Sequence, residues 1–353
     1  MPTMNNTWQS ILSDSITTYD ELKKHLGCDN SAIRDVTERY PVRINPYYLQ
    51  LIQSPGDPIW RQAVPDPAEL QDNICLSDPL GEEALSVVPN LVHKYPDRAL
   101  LLVTGQCAMY CRFCTRKRKV GTARMAISEE SLEKAYCYLK EHPEIREVLI
   151  SGGDPLLLAD QVLDEILSQL RSIPSIEVIR IGSRIPATLP MRVTDSLVQI
   201  LKRYHPLYIN THFNHPTELT PEAEKAAAML ADSGIPLGNQ TVLMRGVNDS
   251  AKTLKLLFTG LLRMRIKPYY LFQADLSRGT DHLRTHSSVG IELMRQLYGH
   301  ISGMAVPTLA LDAPGGKGKI PLTPQYILER GNSLVFENFQ GELCSYPEAI
   351  EPG

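Results

Sequence analysis

The sequence predicts an α/β fold built on a parallel sheet. Three observations carry that prediction. From about residue 98, short apolar runs of strand length alternate with helix-patterned stretches, six times in succession. The chain has 353 residues and is 43% hydrophobic, enough to bury a large core. The first 95 residues or so lack the alternation and are broken by prolines, among them Pro41, Pro46, Pro55, Pro58, Pro65 and Pro67. They read as a lead-in with short helices at about 17–27 and 29–37.

The elements follow in order. Ala99 to Thr104 is the first apolar run. Ser128 before Glu129 and Glu130 starts a helix, and Leu132, Ala135, Tyr136 and Leu139 then share one face. Val148 to Ser151 is the second strand, and Leu163, Ile166, Leu167 and Leu170 form the next helical stripe. Further strands are expected near 177–182, 206–211, 237–243 and 268–273. Helices are expected near 194–203, 220–233, 250–264 and 289–298. Thr220-Pro221-Glu222 opens one of these with a capping residue and a proline at the first helical position. Repeated βα units need crossovers, so the strands run parallel with helices outside. Eight units would close a full barrel. Six fit a partial barrel or an open doubly wound sheet, and either places ligands at the carboxyl ends of the strands. The tail from about 306 is richer in glycine and proline, with a strand-like stretch from Asn332 to Glu337.

Composition narrows the function. With 36 Lys and Arg against 40 Asp and Glu, the net charge is −4. A dedicated nucleic-acid binder is usually basic. No apolar run approaches the ~18 residues that a membrane helix needs, and Met1 to Ser10 carry no signal pattern. The cysteines are Cys28, Cys75, Cys107, Cys111, Cys114, Cys137 and Cys344, an odd set that does not read as a disulfide framework. A reducing cytoplasm fits it, and there clustered cysteines suggest metal or catalysis.

Cys107, Cys111 and Cys114 have the spacing C-x3-C-x2-C directly after the first strand of the series. Three thiolates on one loop can point to one centre. A structural zinc site wants four ligands, so zinc would need a remote fourth such as His93. A cubane iron–sulfur cluster is normally held by four cysteines, and three leave one iron open for chemistry. Ser151-Gly152-Gly153-Asp154-Pro155 ends the second strand, where glycines allow close backbone approach to a ligand.

On these residues the chain resembles the radical S-adenosylmethionine superfamily. The resemblance implies a partial (βα)6 barrel of the TIM type over residues 96–305, with an N-terminal lead-in (1–95) and a C-terminal segment (306–353). It implies a 4Fe–4S cluster on Cys107, Cys111 and Cys114, whose open iron binds S-adenosylmethionine and yields a 5′-deoxyadenosyl radical. Phe113 matches the aromatic near the adenine. Ser151, Gly152, Gly153 and Asp154 match the loop that holds the methionyl amino group.

A narrower resemblance, to the lysine 2,3-aminomutases, runs in order from about residue 75 to 348. It rests on Cys111-Arg112-Phe113-Cys114-Thr115-Arg116-Lys117-Arg118, Ile181-Gly182-Ser183-Arg184, Asn210 to Pro216 and Gly238-Asn239-Gln240. Arg245 to Asp249, Lys267-Pro268-Tyr269-Tyr270 and Asp312 to Lys319 complete it. It implies further cofactor contacts at Ser183, Arg184 and Gln240. It also implies an isomerase that uses pyridoxal 5′-phosphate as a second cofactor. Moving an amino group from C2 to C3 requires breaking an unactivated C–H bond, which a carbon radical can do and a side-chain base cannot. The migrating nitrogen then needs the imine that pyridoxal phosphate forms. Lys319 matches the Schiff-base lysine, with Lys317 as its rival. Lys94, Tyr95 and Arg98 match the phosphate-contacting segment, where Lys94 stands for an arginine and loses its planar fork. Arg116 matches the residue that binds the substrate α-carboxylate. Asp275 and Asp312 match the pair that holds the ε-ammonium of lysine.

The expected reaction is conversion of L-lysine to L-β-lysine, with an external donor such as a flavodoxin or ferredoxin and a homo-oligomeric assembly. The same chemistry on another substrate is the alternative, as in glutamate 2,3-aminomutases or the enzymes that make β-lysine for elongation factor P. A non-catalytic iron–sulfur electron-transfer protein is the reading from another class. Two departures weigh on assembly: the chain ends at Gly353 without the family's zinc-binding extension, and Ser250 replaces an internal cysteine of that site. No zinc is therefore expected.

Overall fold

The structure is a computed structural model that describes residues 7–27, 30–122, 125 and 127–349. Cys28 lies outside the described residues. Five short helices come first: α1 (Trp8–Ser13), α2 (Tyr19–Leu26), α3 (Ser31–Arg39), α4 (Pro46–Leu49) and α5 (Trp60–Ala63). Two strands follow, β1 (Ser86–Val88) and β2 (Leu91–Tyr95). The alternating series is β3 (Arg98–Thr104), α6 (Glu129–Glu141), β4 (Glu147–Gly152), α7 (Asp160–Arg171), β5 (Val178–Gly182), α8 (Ile185–Thr188) and α9 (Asp195–Leu201). It continues through β6 (Leu207–Thr211), α10 (Pro221–Asp232), β7 (Leu237–Leu243), α11 (Ala251–Arg263), β8 (Ile266–Gln273) and α12 (Ser287–Leu297). The chain then forms β9 (Thr308–Asp312) and β10 (Lys319–Pro321), and a separate antiparallel sheet of β11 (Ile327–Arg330), β12 (Ser333–Glu337) and β13 (Leu343–Pro347).

The main sheet has ten strands in sequence order, β1 to β10. The six expected strands, β3 to β8, pair in parallel. A seventh parallel strand, β9, joins β8. It was not expected, because its five residues sit in a tail rich in glycine and proline. The edges are antiparallel: β2 with β1 on one side, β10 on the other. β1 and β10 do not pair, so the sheet curls without closing and is a partial barrel.

Strand alternation divides the sheet into two faces. On β4, Val148 and Ile150 are fully buried in the main core, while Leu149 and Ser151 face a central cavity. On β5, Ile179 and Ile181 join that core, while Arg180 and Gly182 face the cavity. The helices supply the other half of the core through Leu163, Ile166, Leu167 and Leu170 of α7 and through Leu254, Leu257, Phe258 and Leu261 of α11. Caps start these helices where the sequence places them: Ser128 for α6, Thr220 for α10 and Ser250 for α11. Ser250 caps α11 by accepting from Thr253 N–H (3.2 Å).

A second core ties the N-terminal segment to the cysteine loop. Ile16, Leu22, Ile44, Tyr48, Ile59 and Ala63 pack with Met109, and Cys111 lies against them. The backbone of that loop is held from the same segment: Tyr110 N–H donates to Arg43 O (3.0 Å), Arg112 N–H to Gln62 O (2.9 Å), and Asn45 Nδ2 to Ala108 O (3.1 Å). Glu69 is fully buried and accepts from Arg112 Nε (2.8 Å) and Nη2 (2.5 Å), with Lys117 Nζ at 2.6 Å. Burial alone would push this acid up, but the two cations outweigh it and hold it at about 2. Its contribution to stability is therefore present above its ordinary range and is lost only as pH falls from about 4.5 toward 2. Glu69→Ala would leave two buried cations without a counter-charge and cost about 3–5 kcal/mol in urea unfolding at pH 7. An unchanged urea midpoint would refute that account of the N-terminal segment.

Candidate functional site

The barrel holds a cavity of about 600 Å³, and every residue that the resemblance assigns to the site lines it, whereas the rival candidates His93 and Lys317 do not. Its walls come from the strand faces of β3 to β8, its rim from the loop after β3, the loop after β4, and the β9–β10 hairpin.

The cysteine loop stands at the carboxyl end of β3. The Cys107 thiol is buried, and burial pushes it up, helped by Asp154 and by the other two cysteines. The Cys114 thiol is pushed up to about 11 by burial and then by Cys111. With Cys107 and Cys114 both pushed up, the three thiols are a donor set that a cationic centre would stabilise. Among the described residues no three such side chains converge on a single ion. A four-iron cluster takes its thiolates at separate corners, so this spacing suits a cluster. His93, the remote candidate for zinc, does not line the cavity and pairs with the Tyr138 hydroxyl at 2.9 Å.

Around this loop sits a buried polar network. Arg184 donates through Nη1 to Cys111 Sγ (2.7 Å) and through Nη2 to Gln62 Oε1 (2.6 Å) and Glu218 Oε1 (2.7 Å). Its guanidinium also lies 5.0 Å from the Phe113 ring centroid, and the His212 ring lies 5.3 Å from that ring. His212 is half-buried, its Nε2 is out of solvent and makes no hydrogen bond, and desolvation, then the charge of Arg184, lowers its pKa to about 3. It is a neutral imidazole facing the cavity.

The glycine loop after β4 is pressed against the cysteine loop. Gly153 N–H donates to Thr104 O (2.5 Å) and Asp154 N–H to Gln106 O (2.7 Å). Gly152 has φ +129°, and a Cβ there would strike Thr104 O; a Cβ on Gly153 would strike Gln106. The glycines are thus required by the contact between two loops, beyond the ligand approach read from sequence. Asp154 is buried and accepts from Ser183 Oγ (2.6 Å) and from the N–H groups of Arg184 (2.7 Å) and Ile185 (3.1 Å). Burial lifts its acid to about 6 against those donors. Asp154 and Ser183 thus bond each other and join the loops after β4 and β5.

At the other end, β9 and β10 pair Lys319 directly with Asp312. Lys319 Nζ lies 3.0 Å from Asp312 Oδ2 and 5.3 Å from the Phe272 centroid. Lys94 Nζ lies 3.3 Å from Asp312 Oδ1. Lys317, the rival of Lys319 in the sequence, is exposed and does not line the cavity. Tyr95 Oη and Arg180 Nε are buried, make no hydrogen bond and belong to cavity residues, whereas Arg98 Nε, also at the cavity, lies 3.3 Å from Asp97 Oδ1. Unpaired donors of that kind suit an anion such as a phosphate. Arg180 and His212 are additions of the structure. A fold-level signal for Arg180 existed, since it alternates with Ile179 and Ile181.

Arg116 is engaged by the protein itself. Its Nε and Nη2 donate to Glu82 (3.0 and 2.6 Å), and its Nη1 donates to Gly152 O (3.1 Å) and Ser151 Oγ (3.3 Å). Glu82 had no signal in the sequence, because it lies in the proline-interrupted lead-in. Gln240 stands on the cavity face of β7. Asp275 follows β8 and lines the same cavity as Asp312. Burial, then the charge of Asp312, pushes Asp275 up to about 7. The fold therefore suffers from this carboxylate as pH rises from the ordinary range toward 7, and fully above it. Asp275→Asn should raise the Tm of the cofactor-free protein by about 2 °C or more at pH 8 and by much less at pH 4. A Tm gain equal at both pH values would refute the charge repulsion.

Comparison with known proteins agrees with the geometry. The family model described as the radical SAM superfamily matches residues 101–257, and the model described as lysine-2,3-aminomutase matches 294–351. The chain is 47% identical to L-lysine 2,3-aminomutase of Fusobacterium nucleatum, over 97% of this chain and 82% of that protein. It is 46% identical to L-lysine 2,3-aminomutase of Clostridium subterminale, over 98% and 85%. It is 43% identical to glutamate 2,3-aminomutase of Clostridioides difficile, over 94% and 79%.

Proposed function

The chain belongs to the lysine 2,3-aminomutase family within the radical S-adenosylmethionine superfamily, and from that premise we propose that it converts L-lysine to L-β-lysine. The observation that carries the substrate is the carboxylate pair Asp275 and Asp312, half-buried on the cavity wall. An ε-ammonium relieves their repulsion, whereas the side chain of glutamate would add a third negative charge to it.

In this reading Cys107, Cys111 and Cys114 hold the 4Fe–4S cluster, and the Ser151–Asp154 loop with Ser183, Arg184, Gln240 and Phe113 lines the S-adenosylmethionine site. Lys319 is the covalent anchor for pyridoxal phosphate, and Lys94, Tyr95 and Arg98 face its phosphate. When bound, these groups supply a carbon radical able to take an unactivated hydrogen and a π bond through which nitrogen can move. The chain's own part is placement. Arg116 holds the α-carboxylate, and Asp275 with Asp312 holds the ε-ammonium, so a lysine is fixed at both ends and its C3 presented in one orientation. Cofactors and substrate filling the cavity would displace water from around a reactive carbon centre. The neutral His212 adds no charge beside Phe113.

The reading includes a low-potential flavodoxin or ferredoxin as electron donor, because the cluster must receive an electron to act. It includes self-association, which the exposed Leu328, Leu343 and Tyr346 of the C-terminal sheet support. It places the protein in the cytoplasm, where thiols stay reduced; no helix among the described residues is long and apolar enough to cross a membrane.

The test is anaerobic. The reconstituted protein, given S-adenosylmethionine, pyridoxal phosphate, reductant and L-lysine, is expected to form β-lysine. Product from L-glutamate and none from L-lysine would replace the substrate reading. Lys319→Ala is expected to lose the absorbance of bound pyridoxal, and Lys317→Ala to keep it. Cys111→Ala is expected to fall short of four irons per chain.

A further inference from the structure

We propose that Glu82 is the positioning residue of the substrate-carboxylate site, holding the Arg116 fork in the one rotation that leaves a donor for the substrate. The proposal rests on the reading of Arg116 given above and adds a residue to it.

The argument starts from the donors. A guanidinium has five N–H groups in a fixed plane. Glu82 takes Nε and one hydrogen of Nη2, while Ser151 and Gly152 take Nη1. That leaves an Nη2 hydrogen for a ligand. Both partners are well buried, with side-chain exposures of 14% for Arg116 and 7% for Glu82. A buried two-point contact fixes the rotation of the plane as well as its position. Burial resists ionisation of Glu82, but Arg116 outweighs it and lowers its pKa, so the pair is ionic.

Glu82 is itself held rigidly. Its segment closes a turn, Leu85 N–H to Gly81 O (3.0 Å), and Glu83 N–H donates to Asp78 Oδ2 (2.8 Å). Its neighbours Asp78 and Glu83 take Arg118 (2.9 and 3.2 Å), and Glu83 takes Lys119 (2.9 Å). Gly315 N–H donates to Pro79 O (2.9 Å) in the same segment. The strap at 78–85 therefore touches both the cysteine loop and the turn before Lys319. Glu82 is also among the charges that Asp275 feels. A carboxylate at this point ties the α-carboxylate end of the site to the Lys319 end.

The test uses the reconstituted holoenzyme. Glu82→Ala is expected to raise the KM for L-lysine by about tenfold or more while kcat changes far less, because Arg116 touches a non-reacting group. Glu82→Gln keeps one acceptor for the fork and is expected to recover most of that loss. An unchanged KM in the alanine variant would overturn the proposal. So would a glutamine variant as impaired as alanine, since charge rather than orientation would then matter. A fall in iron content or far-UV circular dichroism in the alanine variant would overturn it too, by showing a role in folding the loop. If the wild type acts on another α-amino acid, the comparison is made with that substrate. If it turns over none, the dissociation constant for L-lysine is read from the absorbance of bound pyridoxal, so failure of the reaction and failure of Glu82 are separate results.

Discussion

The rest of the site depends on one buried carboxylate between two buried cations. Glu69 sits against Arg112 and Lys117, one on each side of Cys114. A loop that carries three thiols cannot hold its shape by its own hydrogen bonds, because its residues follow no regular ladder. It borrows partners from the N-terminal segment: Arg43, Asn45, Gln62 and Glu69. Each of those bonds crosses a long stretch of chain, from about 40 to 70 residues, and depends on the loop being packed on the second core. Residues 43–69 are therefore structural walls of the cysteine loop.

The cavity that follows from this arrangement has two chemical ends. At one, crowded thiols, Arg184 and the Asp154–Ser183 bond fix the approach of two loops. At the other, Asp275 and Asp312 face Lys94 and Lys319. Stability is given up at the second end, where burial and mutual repulsion keep Asp275 near neutrality. Such a pair stabilises the fold poorly but suits a cationic ligand. Arg116 with Glu82 lies between the two ends and links them through a single strap.

Much of the barrel was legible because its signals are local. Val148 and Ile150 alternate with Leu149 and Ser151, and such periodicity survives in any tertiary setting. Ser128 and Thr220 cap helices through side-chain contacts three residues away. β9 was missed because five residues between glycine- and proline-rich stretches carry little pattern of their own. The edge strands β1 and β2 were missed for the same reason: they are short and set among prolines.

The cysteine spacing, the Gly-Gly-Asp turn and the resemblance from Cys111 to Lys319 were enough to name the chemistry, since reactive groups lie in short, contiguous motifs. Pairing was another matter. That Arg116 answers to Glu82, Arg184 to Glu218 and Gln62, and Asp154 to Ser183 follows from which loops meet at the carboxyl ends of the strands. The spacing from Asp312 already favoured Lys319 over Lys317; the β9–β10 register adds the pairing of Lys319 with Asp312, while Lys317 stays exposed. Reactive atoms are a property of side chains and can be read in one dimension. Charge balance, burial and orientation depend on distances between residues far apart in sequence, and only the folded chain sets those.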